Sequence, residues 1–256
     1  MAAQKLLSRL GGLIGCLSVL WYTLPALAYQ EISVEHAGAI AGRVVFAGDT
    51  PQLNFLPVHK NRAVCGEQAQ DESLLVGQDG GLKNVVVMLD GITAGKSSVD
   101  PPAVLDNKDC AFVPRVQTLT VGQTLELRNS DAILHDAHAR VHGYKTLFNL
   151  GLLEWSRKTY RFEQPGRVLI DCDVLHTWMR AYVIVTEHPY TAVTDSTGSF
   201  SLQGIPPGIY TVQVWHEQLG EQTTRVAVQP DHTAPLQLSY TPRQQHDKGE
   251  ANSFEE

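Results

Sequence analysis

Helical periodicity is almost missing from this sequence. Beyond residue 28 no stretch sustains apolar residues at helical spacing, which argues against helical bundles and coiled coils. Charge is also scarce, at 18% of residues, and basic charge scarcer still: 20 Lys and Arg stand against 27 Asp and Glu, a net charge of −7. That balance disfavours a nucleic-acid partner, which calls for a basic surface. Four cysteines in 256 residues are too few for a disulfide-dense scaffold, so each needs its own account. Only one long hydrophobic run occurs, at residues 10–24, and it is short beside the roughly 20 residues that span a bilayer. What is present is apolar material, 43% of the chain. That suffices for one large or two small buried cores and excludes bulk disorder.

The single hydrophobic run belongs to a leader. Lys5 and Arg9 precede it, and Ala26-Leu27-Ala28 follows with small residues where a signal peptidase reads, so cleavage is expected after Ala28. Leu13-Ile14-Gly15-Cys16 also fits a lipoprotein acylation pattern. It ranks lower, because the residues after Cys16 continue the hydrophobic run instead of opening a polar tether. The chain is expected to be periplasmic or secreted, with no integral membrane segment after signal removal. Removing residues 1–28 takes away two positive charges and no negative ones, moving the net charge from −7 to −9. It also leaves three cysteines: Cys65, Cys110 and Cys172. In an oxidising compartment Cys65 and Cys110 are expected to form a disulfide, the alternative being two buried free thiols. Cys172 is then left over, either an inert buried thiol or a ligand.

The remainder reads as short strands broken by Gly, Pro, Asp and Asn. Strands are expected at 39–46, at 84–89 with Val85-Val86-Val87 buried on both faces, at 159–162, 167–171 and 180–186. Residues 117–120 and 124–128 read as a hairpin about Val121-Gly122-Gln123. Residues 147–155, apolar but interrupted by Gly151, read as a loop or single turn, and 61–70 as a short helix. Later strands centre on Phe200 and Leu202, on Tyr210, Val212 and Val214, on 223–228 and on 236–238. The tail, residues 242–256, is polar and expected to be disordered.

Chemistry concentrates in Cys172-Asp173-Val174-Leu175-His176-Thr177-Trp178-Met179, which puts a thiol, an imidazole and a thioether on one inter-strand loop. Two His and one Cys with a weak Met is the donor set of electron-transfer copper. The second imidazole must come from elsewhere, and the stretch Ile133-Leu134-His135-Asp136-Ala137-His138 can reach the same end of a small β-barrel, with His135 preferred and His138 a substitute ligand. Residues 110–186 resemble the cupredoxin, or blue-copper, family. The marks are Phe112-Val113-Pro114, the run from Val121 to Asn129, Leu134-His135-Asp136, Phe162-Glu163-Gln164-Pro165-Gly166, the Cys–His–Met loop and Ala181-Tyr182-Val183-Ile184-Val185. The resemblance implies a Greek-key β-sandwich over 101–188 and mononuclear copper held by His135, Cys172, His176 and Met179. The Cys-x3-His-x2-Met spacing is similar to the end of a copper-A loop. The second Cys of that dinuclear site would fall at position 168, which is Val. A Cys172–His176 nucleophilic pair ranks below copper, since no oxyanion loop is recognisable.

The C-terminal stretch resembles a different family. Asp195-Ser196-Thr197-Gly198-Ser199-Phe200 and Ile205-Pro206-Pro207-Gly208-Ile209-Tyr210 are similar to a carboxypeptidase regulatory-like domain, one of the carbohydrate-binding-like folds. This implies a small transthyretin-like sandwich over 189–241. Strands within 29–100, opening at Gly38-Ala39-Ile40, are expected to complete it, with the copper module inserted; otherwise they belong to the cupredoxin sheet. The combination resembles proteins labelled methylamine-utilisation proteins. The expected fold class is all-β, and the expected role is one-electron transfer with an unidentified redox partner protein, not an enzyme. The alternatives are a binding or scaffold protein whose C-terminal sandwich takes a glycan or protein ligand, with a degenerate or structural copper site, and copper delivery or storage. Trp215-His216 is the aromatic candidate for such a ligand, although strand packing is the favoured role. His142, His188, His216 and His232 read as surface or structural residues.

Overall fold

The computed structural model describes residues 29–98, 103–141 and 144–242. The leader with Cys16, His142 and the tail beyond Pro242 lie outside the described residues. Nearly all regular structure is strand. The first passage contains β1 (Gln30–Glu31), β2 (Gly38–Phe46), β3 (Phe55–Pro57), the four-residue helix α1 (Arg62–Cys65), β4 (Gln68–Gln70), β5 (Val86–Asp90) and β6 (Ala94–Gly95). The central passage runs through β7 (Ala103–Lys108), β8 (Ala111–Val113), β9 (Val116–Thr120), β10 (Thr124–Asn129), β11 (His135–Val141), β12 (Lys145–Leu152), β13 (Arg157–Arg161), β14 (Gly166–Asp171) and β15 (Arg180–Thr186). The last comprises β16 (Thr191–Val193), β17 (Ser199–Ile205), β18 (Gly208–His216), β19 (Gly220–Val228) and β20 (Thr233–Tyr240).

The central strands make two sheets, ordered β13-β10-β7-β8 and β12-β11-β14-β15-β9. Their inward residues alternate with solvent-facing ones and fill one core around Leu105, Leu125, Leu127, Ala137, Ile170 and Val183. The hairpin expected about Val121-Gly122-Gln123 does not form. Here β9 pairs in parallel with β15, while β10 pairs with β7 and β13 in the opposite sheet. The connection crosses between the sheets because its N–H groups are taken by other strands: Val121 donates to the Thr186 carbonyl at 2.8 Å and Gly122 to that of Phe162 at 2.7 Å. Residues 147–155 also differ from expectation, since residues up to Leu152 belong to strand β12. Phe148, Leu150 and Leu152 turn inward at period two while Asn149 and Gly151 face solvent. At Gly151 a Cβ would meet nothing within 4 Å, so this glycine marks an open edge and not a break. The helix expected at 61–70 is confined to α1, and β4 takes up the end of that stretch.

Seven of the remaining strands form the second sandwich, ordered β17-β2-β20 and β16-β5-β18-β19, while β1 pairs with β6 and β3 with β4. Val44 in β2 pairs with Leu238 in β20, so an early strand lies between late ones. The approach of these parallel strands is close. A Cβ at Gly42 would overlap the Leu236 carbonyl, so only glycine fits there. In β5 the valine run is buried on both faces for a specific reason. Val85 and Val87 enter the core of this sandwich, whereas Val86 meets Val116, Ile184 and Trp215 between the two sandwiches.

That contact carries polar locks as well. Arg115 donates from Nε and Nη2 to the Glu217 carboxylate at 2.6 and 2.8 Å, with both side chains under a tenth exposed. Trp215 is packed edge-on to Tyr182 and lies beneath the Arg167 guanidinium at 4.6 Å, so its ring serves packing. His216 is buried, and its Nδ1 accepts the N–H groups of Gln218 and Leu219 at 3.3 Å, which requires a neutral ring. Burial, reinforced by the nearby Arg115 charge, holds His216 down at about 4. His188 is buried too, whereas His232 is exposed. Among the described residues no helix is long and apolar enough to cross a membrane.

Two outcomes follow from this packing. Glu217→Ala strands the Arg115 cation in a buried site and should lower stability by about 3–5 kcal/mol in denaturant unfolding, whereas Arg115→Met with Glu217→Leu should recover most of that loss. The His216 ring titrates lower in the folded chain than in the unfolded one. Its contribution is therefore constant above about pH 6.5 and is lost as pH falls toward 4, where the unfolded chain takes up the proton first. Comparing unfolding of wild type and His216→Asn across that window should show the variant's slope reduced by about 1.4 kcal/mol per pH unit.

Candidate metal centre

His135 opens β11, and Cys172 and His176 lie on the loop between β14 and β15. The antiparallel pairing of β11 with β14, His138 opposite Asp171, brings the start of one strand beside the end of the other. Three donor atoms converge there. Cys172 Sγ lies 3.6 Å from His176 Nδ1 and 4.0 Å from His135 Nδ1, and the two Nδ1 atoms are 3.0 Å apart. Both imidazoles are fully buried and Cys172 nearly so.

Each ring is fixed from behind. His135 Nε2 is 2.9 Å from Asp131 Oδ2, and His176 Nε2 is 2.9 Å from Asn61 Oδ1. A carboxylate and an amide oxygen only accept, so each Nε2 carries the proton and each Nδ1 presents a lone pair. Burial lowers both imidazoles, His176 to about 4 with the help of neighbouring His135, so both rings are neutral near pH 7. Asp131 opposes the shift at His135. Burial pushes the Cys172 thiol up to about 11, against the pull of the Asp136 and Val174 N–H groups. The Asp136 N–H points at Sγ from 3.5 Å. Two lone pairs face each other at 3.0 Å with no proton between them, and a thiol adjoins them. An ion in that space removes the repulsion, and the separations suit N and S donors about 2.0–2.3 Å from one transition metal.

Met179 is buried in the central core, and its N–H donates to the His176 carbonyl at 2.9 Å. His138 is not brought to the cluster. It sits three residues along β11 from His135, hence on the other face, where Nδ1 lies 2.5 Å from Asp173 Oδ2 and Nε2 lies 2.7 Å from Thr146 Oγ1. Cys65 and Cys110 form a disulfide, which leaves Cys172 as the free cysteine among the described residues. Cys110, Asp131 and His135 also crowd together, but Cys110 has no thiolate to offer. Trp178 donates from Nε1 to the Cys110 carbonyl at 2.9 Å and flanks the His176 ring at 5.2 Å between centroids.

Sequence reasoning missed Asp131 and Asn61 as partners of the two imidazoles. The Asn-Ser-Asp turn before His135 was a signal for Asp131, since a carboxylate four residues ahead of a ligating imidazole can orient it. Nothing local signalled Asn61, which is 115 residues from His176.

Residues 179–241 match the family model of the carboxypeptidase regulatory-like domain, a match that starts at Met179 and takes in β15. No curated protein matches the sequence. Among solved structures, the chain is similar to a Cu-containing nitrite reductase from Thermus scotoductus at 25% identity, covering 37% of this chain and 24% of that one, with a TM-score of 0.32. A purple cupredoxin from Nitrosopumilus maritimus is 24% identical over 33% of this chain and 99% of its own, with a TM-score of 0.30. Amicyanin from Paracoccus versutus is 20% identical over 35% and 84%, also with a TM-score of 0.30. The chain thus spans about a quarter of the nitrite reductase and most of the two small proteins. It is an all-β protein built of two β-sandwiches, and its residues 179–241 match the carboxypeptidase regulatory-like model.

Proposed function

We propose that the protein is a periplasmic or secreted one-electron carrier with a mononuclear copper centre. In this reading Cys172, His135, His176 and Met179 would hold the ion. The observation that carries it is the pair of Nδ1 atoms turned toward each other, 3.0 Å apart, beside a buried thiol. Thiolate with imidazole selects copper over hard cations. Bound there, copper supplies a one-electron couple between Cu(I) and Cu(II). The chain's own contribution is to hold both rings by their far nitrogens and to exclude water, so the donors keep their places when the charge changes. Cys172 would have to give up its proton to serve as a ligand, since burial holds that thiol in its neutral form.

In this reading strands β2 and β5 of residues 29–100 complete the module of residues 189–241, with 101–188 inserted, on the support of their pairings, while the β3–β4 stretch packs on the inserted sandwich. Exposed Leu134, Leu153, Trp155 and Leu175 lie on the loops that carry or flank the centre. Asn129 joins two of these loops by donating to the Ile133, Leu152 and Leu153 carbonyls. This apolar rim suits brief docking of a redox partner protein. Trp215, the aromatic offered for a glycan, is occupied between the sandwiches.

The test is to add Cu(II) to residues 29–256 and record visible absorption and paramagnetic resonance for wild type and Cys172→Ser. One equivalent of copper and an intense thiolate-to-copper band, lost in the variant, are expected. A wild type that holds no stoichiometric copper sinks the proposal. Reversible one-electron voltammetry then separates a carrier from a store.

A further inference from the structure

The stretch from β3 to β4 enters neither sandwich sheet, yet it reaches the centre. β3 and β4 pair only with each other, three residues each, and a hairpin of that size does not hold itself. Its anchors lie elsewhere. Val58 is fully buried in the central core, with Leu56 and Ala69 packed against it. Arg62 Nε donates to the Val58 carbonyl at 2.7 Å, and Cys65 at the end of α1 is bonded to Cys110. Between these anchors stands Asn61, at φ 57 and ψ 33, a left-handed conformation that asparagine tolerates better than most residues. Its main-chain carbonyl accepts the N–H groups of Val64 and Cys65, and its Oδ1 accepts from His176 Nε2.

Cys110 closes the circuit. Its N–H donates to Asp131 Oδ2, which also accepts from His135 Nε2. Its carbonyl accepts from Trp178, whose ring flanks His176. The disulfide therefore joins the segment that orients one imidazole to the residue that ties down the support of the other. We propose that Asn61 is a positioning residue for the metal centre, carried on a disulfide-held cap that covers His176 and fixes it as the Nε2–H tautomer. The cap is why an imidazole on a surface-facing loop has no exposed area while its neighbour Leu175 is more than half exposed. The reference to a metal rests on the copper reading above; the tautomer does not.

Two substitutions separate orientation from folding. Asn61→Gly keeps the left-handed backbone and removes the acceptor, and Asn61→Asp keeps both. In metal-free protein at pH 8, long-range nitrogen-15 correlation spectra should show His176 as one Nε2–H tautomer in wild type and Asn61→Asp, and as a tautomer mixture in Asn61→Gly. In competition against a Cu(I) chelator, Asn61→Gly should bind about 10–100-fold more weakly, with Asn61→Asp restoring affinity. Cys65→Ser with Cys110→Ser should give the same mixture, because the cap then loses its staple. A folded Asn61→Gly that keeps the single tautomer overturns the proposal. A wild type that takes up no copper refutes the metal assignment and leaves the tautomer measurement to decide the role of Asn61.

Discussion

Asp131 is the point on which the end of the molecule carrying the His135–Cys172–His176 cluster depends. Its carboxylate is nearly buried and accepts three N–H groups, from the backbones of Asp109 and Cys110 and from the His135 ring. Asp109 and Cys110 have φ of 54° and 57°, two successive left-handed residues that are not glycine. Such a pair is strained alone, but it turns consecutive N–H groups toward one concavity, which binds an anion. Here the anion is supplied from within the chain. The turn holds because the carboxylate fills it, and the carboxylate is tolerated in the interior because the turn and the imidazole satisfy it. Cys110 is thereby set for its disulfide and for the Trp178 contact, so one acidic side chain organises the His135 orientation, the disulfide half and the wall beside His176.

The rest of the architecture delivers those residues to one place. Parallel pairing of β2 with β20 joins residues near both ends of the described chain, and the central sandwich occupies nearly half of the sequence between them. Such closure waits on contacts distant in sequence, the slow kind to form. The contact between sandwiches uses the outer face of β5 and the end of β18, where Val86 and Trp215 meet Val116 and Ile184 and where Arg115 grips Glu217. The burial of Val86 thus reflects the central sandwich and not its own core.

Much of this was legible because the chemistry is local. Cys172, His176 and Met179 lie within eight residues, and a soft donor set at that spacing has few other uses. Choosing His135 over His138 rested on the order of family marks, and the reason is strand parity: three steps along β11 reverse the face. Periodicity failed where a strand ended at a sheet boundary. Residues on either side of Val121-Gly122-Gln123 look like hairpin arms, and nothing in their own pattern says that β15 and β13 claim them separately. Asn61 was illegible for a different reason: its left-handed backbone, its disulfide-held helix and its contact with His176 are all products of tertiary packing.

Burial of the donor set bears on which role suits it. Handing an ion to an acceptor requires an incoming ligand to displace one donor, and that donor must offer an edge. Here neither imidazole has an exposed edge, and their outward nitrogens are committed to Asp131 and Asn61. Leu134 and Leu175, which face solvent nearby, cannot coordinate a metal. An electron makes no such demand. It needs a partner close by, a donor set that stays in place when the charge changes, and dry contact so that water need not rearrange around the centre. Fixed rings, a buried sulfur and an apolar rim would meet those three needs together, which supports the proposed passage of an electron over release of an ion.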